Sequence, residues 1–156
     1  MKVLVIDPVK CDGCRSCEIA CSMVKEGEAG LYKSRIRTVR FPEEYFFFPS
    51  VCLQCEVPYC ALVCPTAALS KNLETGVVEL IAEKCVGCRM CQVACPFGAI
   101  RMVNSLPIKC DLCRGDPACV KVCEPKALTY ADADESGTTQ RVALGEKMKE
   151  ARVALE

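Results

Sequence analysis

Apolar positions along this chain come in short bursts separated by polar, glycine-bearing or proline-bearing stretches. Residues 3–6, 77–81, 100–103 and 127–130 each form a run long enough for a short strand, the second of them just after the turn signal Glu74-Thr75-Gly76. A connector over residues 22–51 contains Arg35-Ile36-Arg37-Thr38-Val39-Arg40, whose strict alternation predicts another strand. Tyr45, Phe46, Phe47 and Phe48 follow in succession. Strand side chains alternate between faces, so all four cannot point inward. They are either a buried edge of the connector or an exposed docking patch. Beyond Tyr130 the chain turns small and acidic, which predicts a linker over 131–137. Residues 138–156 then space Val142, Leu144, Met148, Ala151, Val153 and Leu155 as an amphipathic C-terminal helix. That helix either folds back or docks on another subunit or another copy, with Val142, Met148 and Leu155 as its contact residues.

Cysteine supplies the chemistry. The sixteen cysteines fall in four sets of four: Cys11, Cys14, Cys17, Cys21; Cys52, Cys55, Cys60, Cys64; Cys85, Cys88, Cys91, Cys95; and Cys110, Cys113, Cys119, Cys123. Three thiolates close together on a loop can wrap one face of an iron–sulfur cubane, and the fourth serves a neighbouring cluster. Four sets therefore predict four [4Fe–4S] clusters, with short helical turns beginning near the last cysteine of each set. The expected fold is α+β, a doubled bacterial ferredoxin-like arrangement over residues 1–130. Cys64-Pro65 and Cys95-Pro96 share a step that Cys21 and Cys123 lack. This favours a nested pairing, an inner half over about 52–100 inside an outer half of 1–21 plus 100–130, over two ferredoxins in tandem.

The flanks distinguish the sets. Lysine precedes the first cysteine and arginine follows the second in three of them: Lys10 and Arg15, Lys84 and Arg89, Lys109 and Arg114. The second set has Val51 and Glu56 instead. Positive charge near a cluster favours its reduced form and raises its potential. On charge alone, the cluster at Cys52, Cys55 and Cys60 is expected to have the lowest potential of the four.

Composition narrows the alternatives. Half of the 156 residues count as hydrophobic (51%), but the cysteines are included, Trp is absent, and only four Tyr and five Phe are present. Bound clusters must then supply much of the core. The formal net charge is zero with thiols neutral, whereas each thiolate-ligated oxidised cubane brings about −2. Structural zinc fits poorly, because three ligands crowd into the seven residues 11–17 and again into 85–91. A zinc-binding interaction module is accordingly the remotest alternative. A secreted disulfide scaffold is disfavoured by MKVLVIDPVK, which lacks a signal-peptide pattern. A reducing cytoplasm, with no membrane span, is expected. The lack of histidine excludes a Rieske centre and a neutral-pH histidine base. Nucleotide loops of Rossmann or Walker type are absent too, and the basic residues form no stripe for nucleic acid.

The run KCVGCRMCQVACPFGAI in the third set and KCDLCRGDPACVKVC in the fourth resembles the four-cluster ferredoxin-type electron-transfer subunits of molybdenum and tungsten pterin enzymes, hydrogenases and carbon monoxide dehydrogenases. The resemblance covers residues 1 to about 130. It implies that first and fourth sets pair, and second and third. One cluster would take Cys11, Cys14, Cys17 and Cys123, and another Cys21, Cys110, Cys113 and Cys119. The inner clusters would take Cys52, Cys55, Cys60 with Cys95, and Cys64 with Cys85, Cys88 and Cys91. The short stretch 114–118 is similar to the compact branch, in particular to the small subunit of tungsten-dependent aldehyde oxidoreductases. The resemblance implies a non-catalytic subunit relaying electrons between a catalytic subunit and a flavin subunit or ferredoxin. A free polyferredoxin without a fixed partner is the alternative.

Overall fold

The structure, a computed structural model, describes residues 1–135 together with Gly137 and Val142. Met148, Leu155 and nearly all of the expected 138–156 helix lie outside the described residues, and Val142 is exposed. The described strands make four separate two-stranded antiparallel ribbons. Strand β1 (Lys2–Ile6) pairs with β8 (Leu128–Asp132), Ile6 opposite Leu128 and Lys2 opposite Asp132. The chain's opening segment is thus tied to residues beyond the last cysteine. Strands β2 (Arg37–Phe41) and β3 (Phe46–Ser50) form the connector hairpin, with Tyr45 at φ 51 in its turn. Strands β4 (Leu69–Lys71) and β5 (Val78–Leu80) follow, then β6 (Arg101–Val103) and β7 (Leu106–Ile108).

The expected strands are present, with ends shifted by one or two residues, but β3, β4 and β7 were not expected. Pro49 and Pro107 sit within β3 and β7, opposite Thr38 and Met102. Proline reads against a central strand, but in a two-stranded ribbon both strands are edges, so its missing N–H can face outward. The β6–β7 turn is Asn104-Ser105 with φ values of 48 and 64, the left-handed pair that a two-residue hairpin requires.

The helices correct a second expectation. Each begins one residue before the third cysteine of its set: α1 (Ser16–Glu26), α2 (Tyr59–Leu62), α3 (Met90–Ala94) and α4 (Ala118–Lys121). Pro65 and Pro96 directly follow Cys64 and Cys95, and proline disfavours helical backbone in the residue before it. No proline follows Cys21 before Pro42, so α1 continues to Gly27, whose φ of 73 and N–H to the Met23 carbonyl close the helix. The turn after the last cysteine does not depend on the Cys-Pro step. Ala67, Gly98 and Lys126 each donate their N–H to the carbonyl of the preceding fourth cysteine at 3.2 Å, each with positive φ, although Glu124 stands where the other two sets have proline.

Two apolar clusters make the interior. One gathers Leu4, Ile36, Val51, Leu112, Ala127 and Leu128 with Cys17, Cys21, Cys110, Cys119 and Cys123. The other gathers Leu69, Val78, Ile100 and Cys91, against which Cys60, Cys64 and Cys95 pack. Cysteines from the outer sets share one interior and cysteines from the middle sets share the other, with Cys52 packed against the first.

Candidate metal centres

Each cysteine loop bends the same way at one place. The residue before the second cysteine is left-handed in all four sets: Gly13 at φ 74, Gln54 at 51, Gly87 at 68 and Leu112 at 55. Such a backbone turns successive N–H groups toward a common concavity that favours negative charge. Glycine adopts it freely, whereas Gln54 and Leu112 carry a cost of about 1–2 kcal/mol each. Both side chains are buried, so packing holds them there. Neighbours close over the two glycine loops. A Cβ on Gly13 would lie 2.6 Å from the Phe47 ring, and one on Gly87 would lie 2.9 Å from the Ser105 carbonyl oxygen. The β2–β3 hairpin thus covers the first loop and the β6–β7 turn covers the third.

Three small cavities lie behind these loops. The first is lined by Cys64, Cys85, Cys88 and Cys91. The second is lined by Cys21, Cys110, Cys113 and Cys119, and the third by Cys11, Cys14, Cys17 and Cys123. In each, three thiols come from one set and the fourth from another set far away in sequence. Of the remaining four, Cys52 and Cys95 both lie close enough to Cys60 to act on it electrostatically. Among the described residues no three His, Cys, Asp or Glu side chains converge as ligands of one metal ion would. Thiols arranged around a cavity rather than about a point fit a polynuclear iron–sulfur group.

The thiols sit in two kinds of surroundings. Burial pushes Cys17 up to about 11 and Cys110 up to about 12, and raises Cys119 further. Such thiols give up protons only to a strongly bound metal. Cys64 behaves oppositely. Burial raises it, but the N–H groups of Leu69, Thr66 and Ala68 and the Thr66 hydroxyl outweigh that and hold it below the usual thiol value. Backbone N–H groups also point at sulfur from Ala99 to Cys95 at 3.4 Å, from Leu112 to Cys110 at 3.4 Å and from Arg35 to Cys21 at 3.3 Å.

The flanking charges prove unequal. Lys10 is exposed and pairs with Asp7 at 2.9 Å, while Lys84, Arg89 and Arg114 are exposed. Arg15 is occupied by Glu18. Lys109 alone is buried. Glu56 does not leave the second set without positive charge, because Lys71 Nζ donates to the Cys55 carbonyl at 3.1 Å and to the Glu56 carbonyl at 2.9 Å. The Lys109 ammonium also acts on Cys60. Positive charge from elsewhere in the chain therefore lies beside the second set, although its own flanks lack it. The aromatic run splits by the alternation expected of a strand. Tyr45, Phe46 and Phe48 are exposed, and Phe47 turns inward over Gly13. Sequence reasoning missed Glu18, Thr38, Gln54 and Lys71. Their partners lie up to 56 residues away in sequence, and no local motif marks them.

Residues 43–133 match the 4Fe-4S dicluster domain family. The chain is 38% identical over 148 residues to the putative electron transport protein YsaA of Escherichia coli (strain K12), covering 86% of this chain and 92% of that one. It is 42% identical over 123 residues to the polyferredoxin-like subunit of aliphatic sulfonate oxidoreductase from Pyrococcus furiosus, covering 77% and 70%. Against subunit beta of NADH-dependent phenylglyoxylate dehydrogenase from Aromatoleum evansii, identity is 38% over 131 residues. That match covers 81% of this chain but spans 29% of the longer relative. Among solved structures, the active site complex BamBC of benzoyl coenzyme A reductase with 1,5-dienoyl-CoA is similar, with a TM-score of 0.51 and 29% identity over 84% of this chain and 75% of that one.

Proposed function

The chain belongs to the 4Fe-4S dicluster domain family, and from that premise we propose that it is a non-catalytic electron-transfer subunit holding four [4Fe–4S] clusters. The three cavities, each lined by three cysteines of one set and one of another, carry this reading. Cluster a would be held by Cys11, Cys14, Cys17 and Cys123, and cluster b by Cys21, Cys110, Cys113 and Cys119. Cluster c would be held by Cys52, Cys55, Cys60 and Cys95, and cluster d by Cys64, Cys85, Cys88 and Cys91. When bound, such clusters supply one-electron redox chemistry. Three observations on the chain's own residues support an order for them. Helix α1 carries Cys17 and Cys21, so it joins a to b. Cys52 acts on Cys110, which sets c beside b, and α2 packs on α3 between c and d. The nested ferredoxin doubling is supported by the two separate interiors and by the β1–β8 clamp.

Iron and sulfide analysis of anaerobically purified protein tests the count. About sixteen of each per chain is expected from four cubanes. About eight would overturn the four-cluster reading, and zinc in their place would point to a structural metal module.

The partner is proposed to be the catalytic subunit of an oxidoreductase, with a tungsten or molybdenum pterin aldehyde oxidoreductase as first choice and a flavin subunit or ferredoxin at the other end. Relatives named as subunits of sulfonate oxidoreductase and phenylglyoxylate dehydrogenase support the subunit role in general. Tyr45, Phe46 and Phe48, exposed on the hairpin that covers the first loop, are the proposed docking face. Among the described residues no helix is long and apolar enough to cross a membrane, and a cytoplasmic complex is proposed. Affinity purification from the native host, with metal analysis of what co-purifies, separates a fixed subunit from a free polyferredoxin. Removing residues 138–156 and measuring particle mass tests self-association through the tail.

A further inference from the structure

Lys109 is 7% exposed, and its hydrogen bonds run to neutral oxygens. Its Nζ donates to the Val78 carbonyl at 2.6 Å, to the Cys110 carbonyl at 2.7 Å and to Gln54 Oε1 at 3.5 Å. Gln54, 2% exposed, completes the arrangement. Its Nε2 donates to the Cys110 carbonyl at 2.8 Å, and its Oε1 accepts from the Val78 N–H at 2.9 Å. A buried ammonium costs several kcal/mol unless negative charge compensates it. Among the described residues the Lys109 ammonium makes no ion pair with a carboxylate, although Glu79 and Asp111 line the pocket it shares. The ammonium acts on Cys60 of the second set and on Cys110 of the fourth. Cys52 in turn acts on Cys110. This is the junction where the second set meets the fourth, and Lys109 stands inside it. Lys10 and Lys84 occupy the same sequence position in their own sets, yet both are exposed to water.

We propose that Lys109, oriented by Gln54, sets the potentials of the two clusters that face each other across this junction, the one on Cys52, Cys55, Cys60 and Cys95 and the one on Cys21, Cys110, Cys113 and Cys119. The inference rests on the reading that these cysteines hold clusters. Helix α1 carries ligands of both outer clusters, and α2 packs on α3 between the inner two. Across the junction no described helix plays either part, and the shared cation takes that place. A fixed positive charge in a low-dielectric interior favours the reduced form of both neighbours together. One electron leaves one cluster and enters the other, with no proton or further reactant involved. Raising both potentials in common makes both clusters easier to reduce while leaving the step between the halves unchanged. Lys109 is a positioning and tuning residue, not a catalytic one.

The test uses the full loaded chain, with iron and sulfide counted first and midpoint potentials then read by EPR-monitored titration. Lys109→Met removes the charge. Gln54→Glu keeps the lysine and the acceptor oxygen but sets a carboxylate against the ammonium. Both variants are expected to lower the same two of the four potentials. Lys109→Arg should restore them, whereas Lys10→Met and Lys84→Met should leave all four unchanged. Unchanged potentials in Lys109→Met, or a shift confined to the other two clusters, overturn the proposal. If Lys109→Met loads less iron than the parent, Gln54→Glu carries the measurement, and unchanged potentials there overturn it equally. A parent chain with about eight irons sinks the four-cluster reading instead, a result distinct from either.

Discussion

The guanidinium of Arg15 holds the carboxylate of Glu18 through two hydrogen bonds, Nε to Oε1 at 3.1 Å and Nη2 to Oε2 at 3.0 Å. Glu18 has no exposed surface. Its carboxylate also accepts the Thr38 N–H at 2.8 Å and lies 3.9 Å from Arg37 Nε. The pair therefore fastens the first cysteine loop to the connector hairpin. The third set repeats the arginine, with Arg89 at the same φ of 65, but places exposed Gln92 where the first set has Glu18. The recurrent arginine thus has a structural duty in one set that it lacks in the other.

Glu18→Gln should destabilise the loaded protein by about 1.5–3 kcal/mol, the range for hydrogen bonds to charged groups, read from thermal unfolding. Burial raises the Glu18 carboxyl, but the Arg15 hydrogen bonds, the Thr38 N–H and both arginine charges outweigh it and hold the group below the ordinary 4.5. A carboxyl depressed in the folded state contributes stability above its unfolded value and loses it as pH falls through the folded one. The gap between parent and variant should be full at neutral pH and narrow below 4.5. A gap independent of pH across that window would show that the charge of Glu18 does not matter.

Gly13→Ala should be costly for two separable reasons. Left-handed backbone costs alanine about 1–2 kcal/mol, and the new methyl meets the Phe47 ring, adding about 1–3 kcal/mol of overpacking. Pairing it with Phe47→Ala should recover the second part and leave the first. A strictly additive double mutant, measured by unfolding, would mean that the ring does not cover the loop.

Ala67 and Gly98 occupy the same turn after their fourth cysteines, at φ 50 and 59. Ala67 is exposed, and a Cβ on Gly98 would touch nothing within 4 Å. Ala67→Gly should then stabilise by about 0.5–1 kcal/mol, strain relief less the entropy of the freer unfolded chain. Gly98→Ala should destabilise by a similar amount. The two melting shifts should carry opposite signs.

Stripping iron with a chelator under reducing, anaerobic conditions should remove cooperative unfolding and most of the far-ultraviolet dichroism. Six of the buried apolar residues, Cys17, Cys21, Cys91, Cys110, Cys119 and Cys123, are cysteines of the four sets. An interior that depends on them has little to close upon without metal. A chelated chain that keeps a sharp melting transition would show that the apolar residues suffice.

Much of the candidate site was legible because cysteine spacing acts locally. Cys11, Cys14 and Cys17 can wrap one body whatever the rest of the chain does. The short apolar bursts likewise located five of the eight strands. Strands β3 and β7 were hidden because Pro49 and Pro107 read as breakers, and a ribbon with two edges tolerates them. The helices were misplaced because each begins before the third cysteine, and in the middle sets Pro65 and Pro96 disfavour helix at the last one. The charge around the second set was legible only in part. Val51 and Glu56 describe its sequence neighbours, whereas its electrostatic neighbours are Lys71 and Lys109.

By itself the sequence determined what the chain can hold: sixteen thiols in four loops, and too few large apolar side chains to fold without what they bind. Tertiary structure decided which thiols share a cavity, and which of three equivalent lysines is taken out of water. The reason is physical. Ligand spacing acts through a few bonds, so it is written in adjacent residues. A charge acts through space, with a strength set by the dielectric around it, and whether Lys10, Lys84 or Lys109 is buried depends on residues such as Gln54 and Val78 that only the fold brings near.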